Sequence, residues 1–257
     1  MDYAVVAVVA GLASCLTFFT GFGLGTLLLP AFSVFFPITV AVALTACVHF
    51  LNGLFKLALV GRRADWRIVA RFGIPAIVAA FAGAEMLRWL GDLAPLASYQ
   101  IAGRTFSILP VKLVVATLMI GFAIVELSRR VKNASVSTRL LPIGGLVSGF
   151  FGGLSGHQGA FRSVFLLRAG LDKTAFIGTG AVIASLIDVT RLSVYFTGDA
   201  ISHVQANIGI VVLGVATAFL GAYVGSRLLE KTTLEAIQKI VAVALILIAV
   251  ALALGVL

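Results

Sequence analysis

From Tyr3 to Phe55 the chain carries no Asp, Glu, Lys or Arg. A stretch of that length without charge cannot give a surface helix its solvated face. At about 1.5 Å of rise per residue it is also long enough to cross a ~30 Å hydrocarbon layer more than once. Apolar runs continue to the C-terminus: of 257 residues 61% are hydrophobic and 11% charged, and the mean hydropathy is +1.14. These values lie outside the soluble globular range and point to an all-α polytopic integral membrane protein. The net charge of +9 does not imply nucleic acid, because Lys and Arg sit in short connections between apolar runs, as expected of cytoplasmic loops. Cys15 and Cys47 fall inside apolar segments, where a thiol acts as a small hydrophobe, so neither a disulfide nor a metal framework is expected. Only Asp2 stands where a secretory signal would place basic residues, and the first apolar segment is expected to remain.

Eight apolar segments can be drawn, at 4–36, 38–60, 68–90, 109–128, 139–169, 173–197, 203–228 and 234–256. They divide into a first transmembrane repeat (1–130), a basic cytoplasmic linker (131–138) and a second repeat (139–257) that together form one membrane domain. The first segment of each set is too long for one crossing and is interrupted near its middle by glycine: Thr20-Gly21-Phe22-Gly23-Leu24-Gly25 and Ser155-Gly156-His157-Gln158-Gly159. Charge bias favours a hairpin over a bent span. If segment 139–169 enters and returns, the clusters Arg62/Arg63/Arg67/Arg71, Arg129/Arg130/Lys132/Arg139, Arg168/Lys173 and Arg227/Lys231 all become cytoplasmic. Pro37, the Gly198-Asp199 connection and the stretch 91–108, read as an exposed loop, then lie outside. A broken or re-entrant hairpin plus three transmembrane helices is an odd number of crossings per half. The two repeats are therefore inverted, with both termini outside.

A paired helix break has two readings. Small residues let helices approach closely, whereas an unwound segment with free N–H groups and a positive dipole end holds an anion. Thr45, His49, Asn52 and Lys56, spaced four, three and four, share one helical face. Lys56 is read as snorkelling to the cytoplasmic surface. His49 is either an interhelical hydrogen-bond partner or a ligand or proton relay. Asp188 and Arg191, three apart with Ser185 and Tyr195 on the same span, form either a structural ion pair or a pair lining a pathway, with Asp188 titrating. Arg162, three residues past Gly159, lies far from water and needs an anionic partner, either Glu85 or the substrate. There is no HExxH, Walker lysine or GxSxG motif, so neither an enzyme nor an ATP-driven pump is expected, and no metal or cofactor.

At these residues the chain resembles the TauE/SafE family of sulfite and organosulfonate permeases. Gly21-Phe22-Gly23-Leu24-Gly25, leading through Pro30 to Ala41-Val42-Ala43-Leu44-Thr45, is similar to the first half of that family. The stretch Gly149 to Gly159, leading to Lys173-Thr174-Ala175 and Gly178-Thr179-Gly180, is similar to the second half, and Asp65-Trp66 fits as well. His157 and Gln158 replace glycines of the family pattern, which implies a more polar site. The resemblance implies transport of a small sulfur-containing anion across a bacterial inner membrane.

The combined expectation is a secondary transporter working by alternating access. Its substrate would be bound by Gly21, Phe22, Gly23, Gly25, His49, Asn52, Gly156, His157, Gln158, Gly159 and Arg162, with Asp188, Arg191 and Thr45 in coupling or gating. The expected partners are the small anion and membrane lipid, with a second copy of the chain left open and nucleic acid excluded. The rivals are a carrier of another anion, of a cation or of a neutral solute, an anion channel, and a non-transporting membrane partner.

Overall fold

A computed structural model of the chain describes residues 2–17, 24–127, 137–167, 169–197, 200–228 and 235–257. The helices are α1 (Asp2–Thr17), α2 (Leu24–Ser33), α3 (Ile38–Val60), α4 (Trp66–Gly91), α5 (Pro110–Leu127), α6 (Leu141–Ser155), α7 (Gln158–Leu166), α8 (Lys173–Tyr195), α9 (Ala200–Ala206), α10 (Ile208–Leu228) and α11 (Glu235–Ala253). Four stretches among the described residues, Ile38–Arg63, Trp66–Gly91, Lys173–Tyr195 and Ile208–Gly225, are long and apolar enough to cross a membrane. The protein is an all-α membrane protein with polarity turned inward. Val78, Phe81, Val212, Leu220 and Leu247 are exposed, while Asn52, Gln158, Arg162, Asp188 and Arg191 are buried. Large exposed apolar side chains over a buried polar interior suit contact with lipid rather than water.

Small residues set the two closest helix pairs. On α6, Gly145, Gly149 and Gly153 recur every four residues, and a Cβ at any of them would overlap the backbone carbonyls of Phe72, Ala76 and Ala80 on α4. Gly221 and Gly225 of α10 meet the carbonyls of Gly11 and Cys15 on α1 in the same way. Without a hydrophobic force between helices in lipid, such backbone approach is what packs them. Close helix contact through small residues is thus made at Gly145, Gly149 and Gly153, upstream of the break at Gly156. Helices of the two halves pair across the chain: α1 with α10, α4 with α6, α3 with α8, and α5 with α11. Exchanging the two halves maps these contacts onto themselves.

Connections follow local chemistry. Asp65 caps α4, its carboxylate accepting from the Arg67 (2.9 Å) and Ile68 (3.1 Å) amides, while its own N–H donates to Thr179 Oγ1 on α8 at 2.9 Å. Loss of an N-cap carboxylate costs about 1 kcal/mol. Asp65→Ala is expected to lower the melting temperature of the purified protein modestly, as a thermal unfolding series would show.

The stretch 91–108 is not the featureless loop expected from its Pro, Ser and Gly. It forms an antiparallel hairpin of β1 (Ala97–Ile101) and β2 (Arg104–Ile108). Ala102 and Gly103 both have positive φ (51° and 77°), the backbone that a two-residue hairpin turn needs. Tyr99 stacks on its cross-strand partner Phe106 at 5.4 Å, and its hydroxyl donates to the Leu254 carbonyl at 2.6 Å, fastening the hairpin to the C-terminal end of the bundle.

Candidate functional site

The second glycine break turns the chain back on itself. Gly156 takes the left-handed conformation (φ 81°) that ends α6, and its N–H donates to the Gly152 carbonyl at 2.9 Å. Helix α7 then returns along α6: Ser148 Oγ donates to the Gln158 carbonyl at 2.8 Å, and Gly144 lies against the ring of Phe165. Both ends of this hairpin, Leu141 and Leu166, pack with Ala64, Ile68 and Phe72, beside the Arg62/Arg63 turn. At its tip Gly156 meets the first half, since a Cβ at Gly25 would lie 3.2 Å from the Gly156 carbonyl and 3.8 Å from the His49 ring. Gly21, Phe22 and Gly23 lie outside the described residues, as do Arg129, Arg130, Lys132, Arg168, Gly198, Asp199, Lys231 and residues 131–136 of the expected linker.

Beside this meeting point, α3, α7 and α8 enclose a cavity of about 40 Å³. Its polar wall is His49, Asn52 and Lys56 from one face of α3 together with Arg162 and Ser163 from α7. Its remaining wall includes Gly180, Ala181 and Ala184 of α8, whose small side chains leave the space open. No carboxylate among the described residues lines it. Ser14 Oγ donates to Asn52 Oδ1 at 3.3 Å, so the Asn52 amide nitrogen is the end left to donate elsewhere.

Behind the cavity a buried network converges on Asp188. Its Oδ2 lies 2.6 Å from His49 Nδ1; its Oδ1 accepts from Gln158 Nε2 at 2.9 Å and from Arg191 Nε at 2.9 Å, with Arg191 Nη2 at 2.8 Å. Gln158 Oε1 accepts from Arg162 Nη1 at 2.9 Å. Because a guanidinium only donates and an ionised carboxylate only accepts, the Gln158 amide can sit in one orientation. Arg191 is fully buried yet never isolated, and Tyr195 beside it donates its hydroxyl to the Gly153 carbonyl. Two full charges survive here because they are paired and hydrogen-bonded. Gly156 must stay small for this reason, as a Cβ would come within 2.7 Å of Arg191 Nη1.

His49, Asn52 and Arg162 therefore share the cavity, with Gln158, Asp188 and Arg191 behind it. Thr45 is buried near Gly25, and its hydroxyl and that of Ser185 have no hydrogen-bond partner among the described residues. His157 lies elsewhere: it stacks on Phe122 at 4.7 Å and bonds Ser155 Oγ at 3.0 Å, amid Phe151 and Phe161. Gly156 and Gly159 shape the hairpin rather than line the cavity. Glu85, considered as a partner of Arg162, instead pairs with Arg88 at 2.8 Å, one helical turn along the exposed side of α4. Sequence reasoning missed Lys56 and Ser163 as cavity residues. The signal for Lys56 was present in the four-residue step from Asn52, but its position near a helix end suggested snorkelling.

The family profile of the sulfite exporter TauE/SafE matches residues 6–252. The chain belongs to the TauE/SafE family. No curated protein and no solved structure matches it. The match covers nearly the whole chain, both helix breaks and every residue of the cavity. Membership places the protein among multi-pass membrane transporters of the sulfite-exporter type, whose substrate is a small anion.

Proposed function

We propose that this chain is a secondary transporter that moves a small sulfur-containing anion, sulfite or a short organosulfonate, across the inner membrane by alternating access. The observation that carries the reading is the convergence of Arg162, Lys56, His49, Asn52 and Ser163 on one cavity whose described lining contains no carboxylate. About 10–15 Å³ of such space holds one water, so 40 Å³ admits roughly three or four non-hydrogen atoms. That size suits a four-atom oxyanion, and a longer sulfonate requires the cavity to widen. Desolvated donors fixed by a protein frame replace the hydration shell of such an anion without reorganising.

The exchangeable contact pattern of the two halves supports an inverted repeat, with 1–130 and 139–257 as its members and 131–138 as the connection. Arg62, Arg63, Arg67 and Arg71 mark the cytoplasmic end, which leaves both termini periplasmic. Alternating access is then the rocking of the α6–α7 hairpin and α8 against their first-half counterparts. The contact between Gly25 and Gly156 is the hinge region, Thr45 and Arg191 flank it, and the Asp188–His49 pair couples it to protons.

Arg162→Ala tests the reading in proteoliposomes loaded with sulfite. Removing one member of a buried charge pair with a ligand costs about 2–5 kcal/mol, so its apparent affinity is expected to fall by about 30-fold or more while the variant still folds. Flux equal to the parent's would remove Arg162 from the site.

A further inference from the structure

We infer that His49, and not Asp188, carries the coupled proton, and that it does so through Nε2 as one proton shared with each bound anion. The inference rests on the anion site proposed above and goes beyond it in naming the atom and the stoichiometry.

Asp188 fixes the tautomer. Its Oδ1 accepts from Gln158 and Arg191, and its Oδ2 faces His49 Nδ1 at 2.6 Å. A carboxylate paired with Arg191 and hydrogen-bonded by Gln158 is ionised and can only accept, so Nδ1 keeps its hydrogen whether the imidazole is neutral or cationic. That leaves Nε2 as the nitrogen available to the cavity that His49 lines. In neutral His49, Nε2 is a lone pair. It opposes a bare dianion but accepts a hydrogen bond from an oxyanion that still carries one acidic hydrogen. In cationic His49, Nε2–H donates to the dianion. The two bound states, neutral His49 with HA⁻ and cationic His49 with A²⁻, hold the same number of protons. They interconvert by moving one proton between Nε2 and an anion oxygen, with no other reactant. The site therefore accepts anion and proton together and rejects either dianion with neutral imidazole or an extra proton without the anion.

The groups around His49 favour this division. Asp188 and Arg191 face it from α8, Arg162 from α7, and Lys56 lies on its own helix. Helix α2 contributes no ionisable side chain, and Tyr223 of α10 is exposed. An anion in the cavity lies beside the cationic Arg162 and Lys56 as well as His49. Asp188 is thus a positioning residue, held between Arg191 and Gln158, and Gln158 links its carboxylate to the Arg162 that meets the anion.

The test is calorimetric titration of the detergent-purified protein with sodium sulfite at mildly alkaline pH, where free sulfite is a dianion and free imidazole is neutral. It is run in two buffers of different ionisation enthalpy. The expected result is uptake of about one proton per sulfite bound by the parent protein, and uptake near zero for His49→Asn. The Asn amide can still donate to Asp188 but offers nothing at the position of Nε2. Sulfite binding to the parent with no proton uptake overturns the inference while leaving the anion site standing. Uptake that persists in a folded His49→Asn protein also overturns it. Absence of any sulfite binding by the parent overturns the site itself, and this inference with it. Should His49→Asn fail to fold, the parent's proton count alone decides between one and none.

Discussion

Asp188→Ala is expected to be the most damaging substitution in the buried network, lowering stability by about 3–5 kcal/mol. The alanine leaves Arg191, fully buried, without its carboxylate, and at the same time strips His49 Nδ1 and Gln158 Nε2 of their acceptor. The cost lies in the uncompensated charge more than in the missing hydrogen bonds. The double variant Asp188→Leu with Arg191→Met, which replaces the whole pair by apolar groups of similar bulk, should recover much of the stability and none of the transport. Fluorescence-detected thermal unfolding of the two variants beside the parent checks this. A stable, well-folded Asp188→Ala protein would show that Arg191 has another buried counter-charge.

Gly149→Leu is expected to prevent assembly of the folded bundle, and Gly149→Ala to cost at least the ~1–3 kcal/mol typical of overpacking. The obstacle is backbone rather than a yielding side chain. A Cβ at Gly149 overlaps the Ala76 carbonyl on α4, and Gly145 and Gly153 are blocked in the same way one turn to either side. Relief therefore requires α4 and α6 to separate along their length. Size-exclusion profiles of detergent extracts would show loss of the monodisperse peak for the leucine variant. By contrast, alanine at Gly121, where an added Cβ would meet nothing within 4 Å, should be neutral. If Gly149→Leu gives a normal profile, the α4–α6 contact is not what holds the hairpin in place.

Much of the fold could be read from residue order because it depends on short-range properties. Apolar runs of spanning length, a glycine able to adopt positive φ at 156, and Asp65 and Asp172 as N-caps act within a few positions of themselves. The β-hairpin at 97–108 carried a local signal too, in alternating Tyr99, Ile101 and Phe106 around Ala102-Gly103, but the surrounding Pro, Ser and Gly obscured it. Part of the site was equally legible. His49, Asn52 and Arg162 stand out because polar side chains in hydrocarbon need partners, and the structure places all three on one cavity.

The pairing of those groups was not legible. His49 and Asp188 are 139 positions apart, and nothing in the spacing of either helix says which residue of the other half it will face. The same limit explains Glu85, whose nearest cation proved to be Arg88 on its own helix, and His157, which its ring drew into the aromatic cluster of Phe122. The sequence by itself determined the solvent of this protein, its helices and the turn at Gly156, because hydropathy and backbone conformation are properties of short segments. Only the tertiary structure decided which glycines pack and which turn, that Lys56 faces the cavity, and that Asp188 meets His49 at Nδ1. Those outcomes depend on distances between elements, which the packing of α3 against α8 and of α4 against α6 sets.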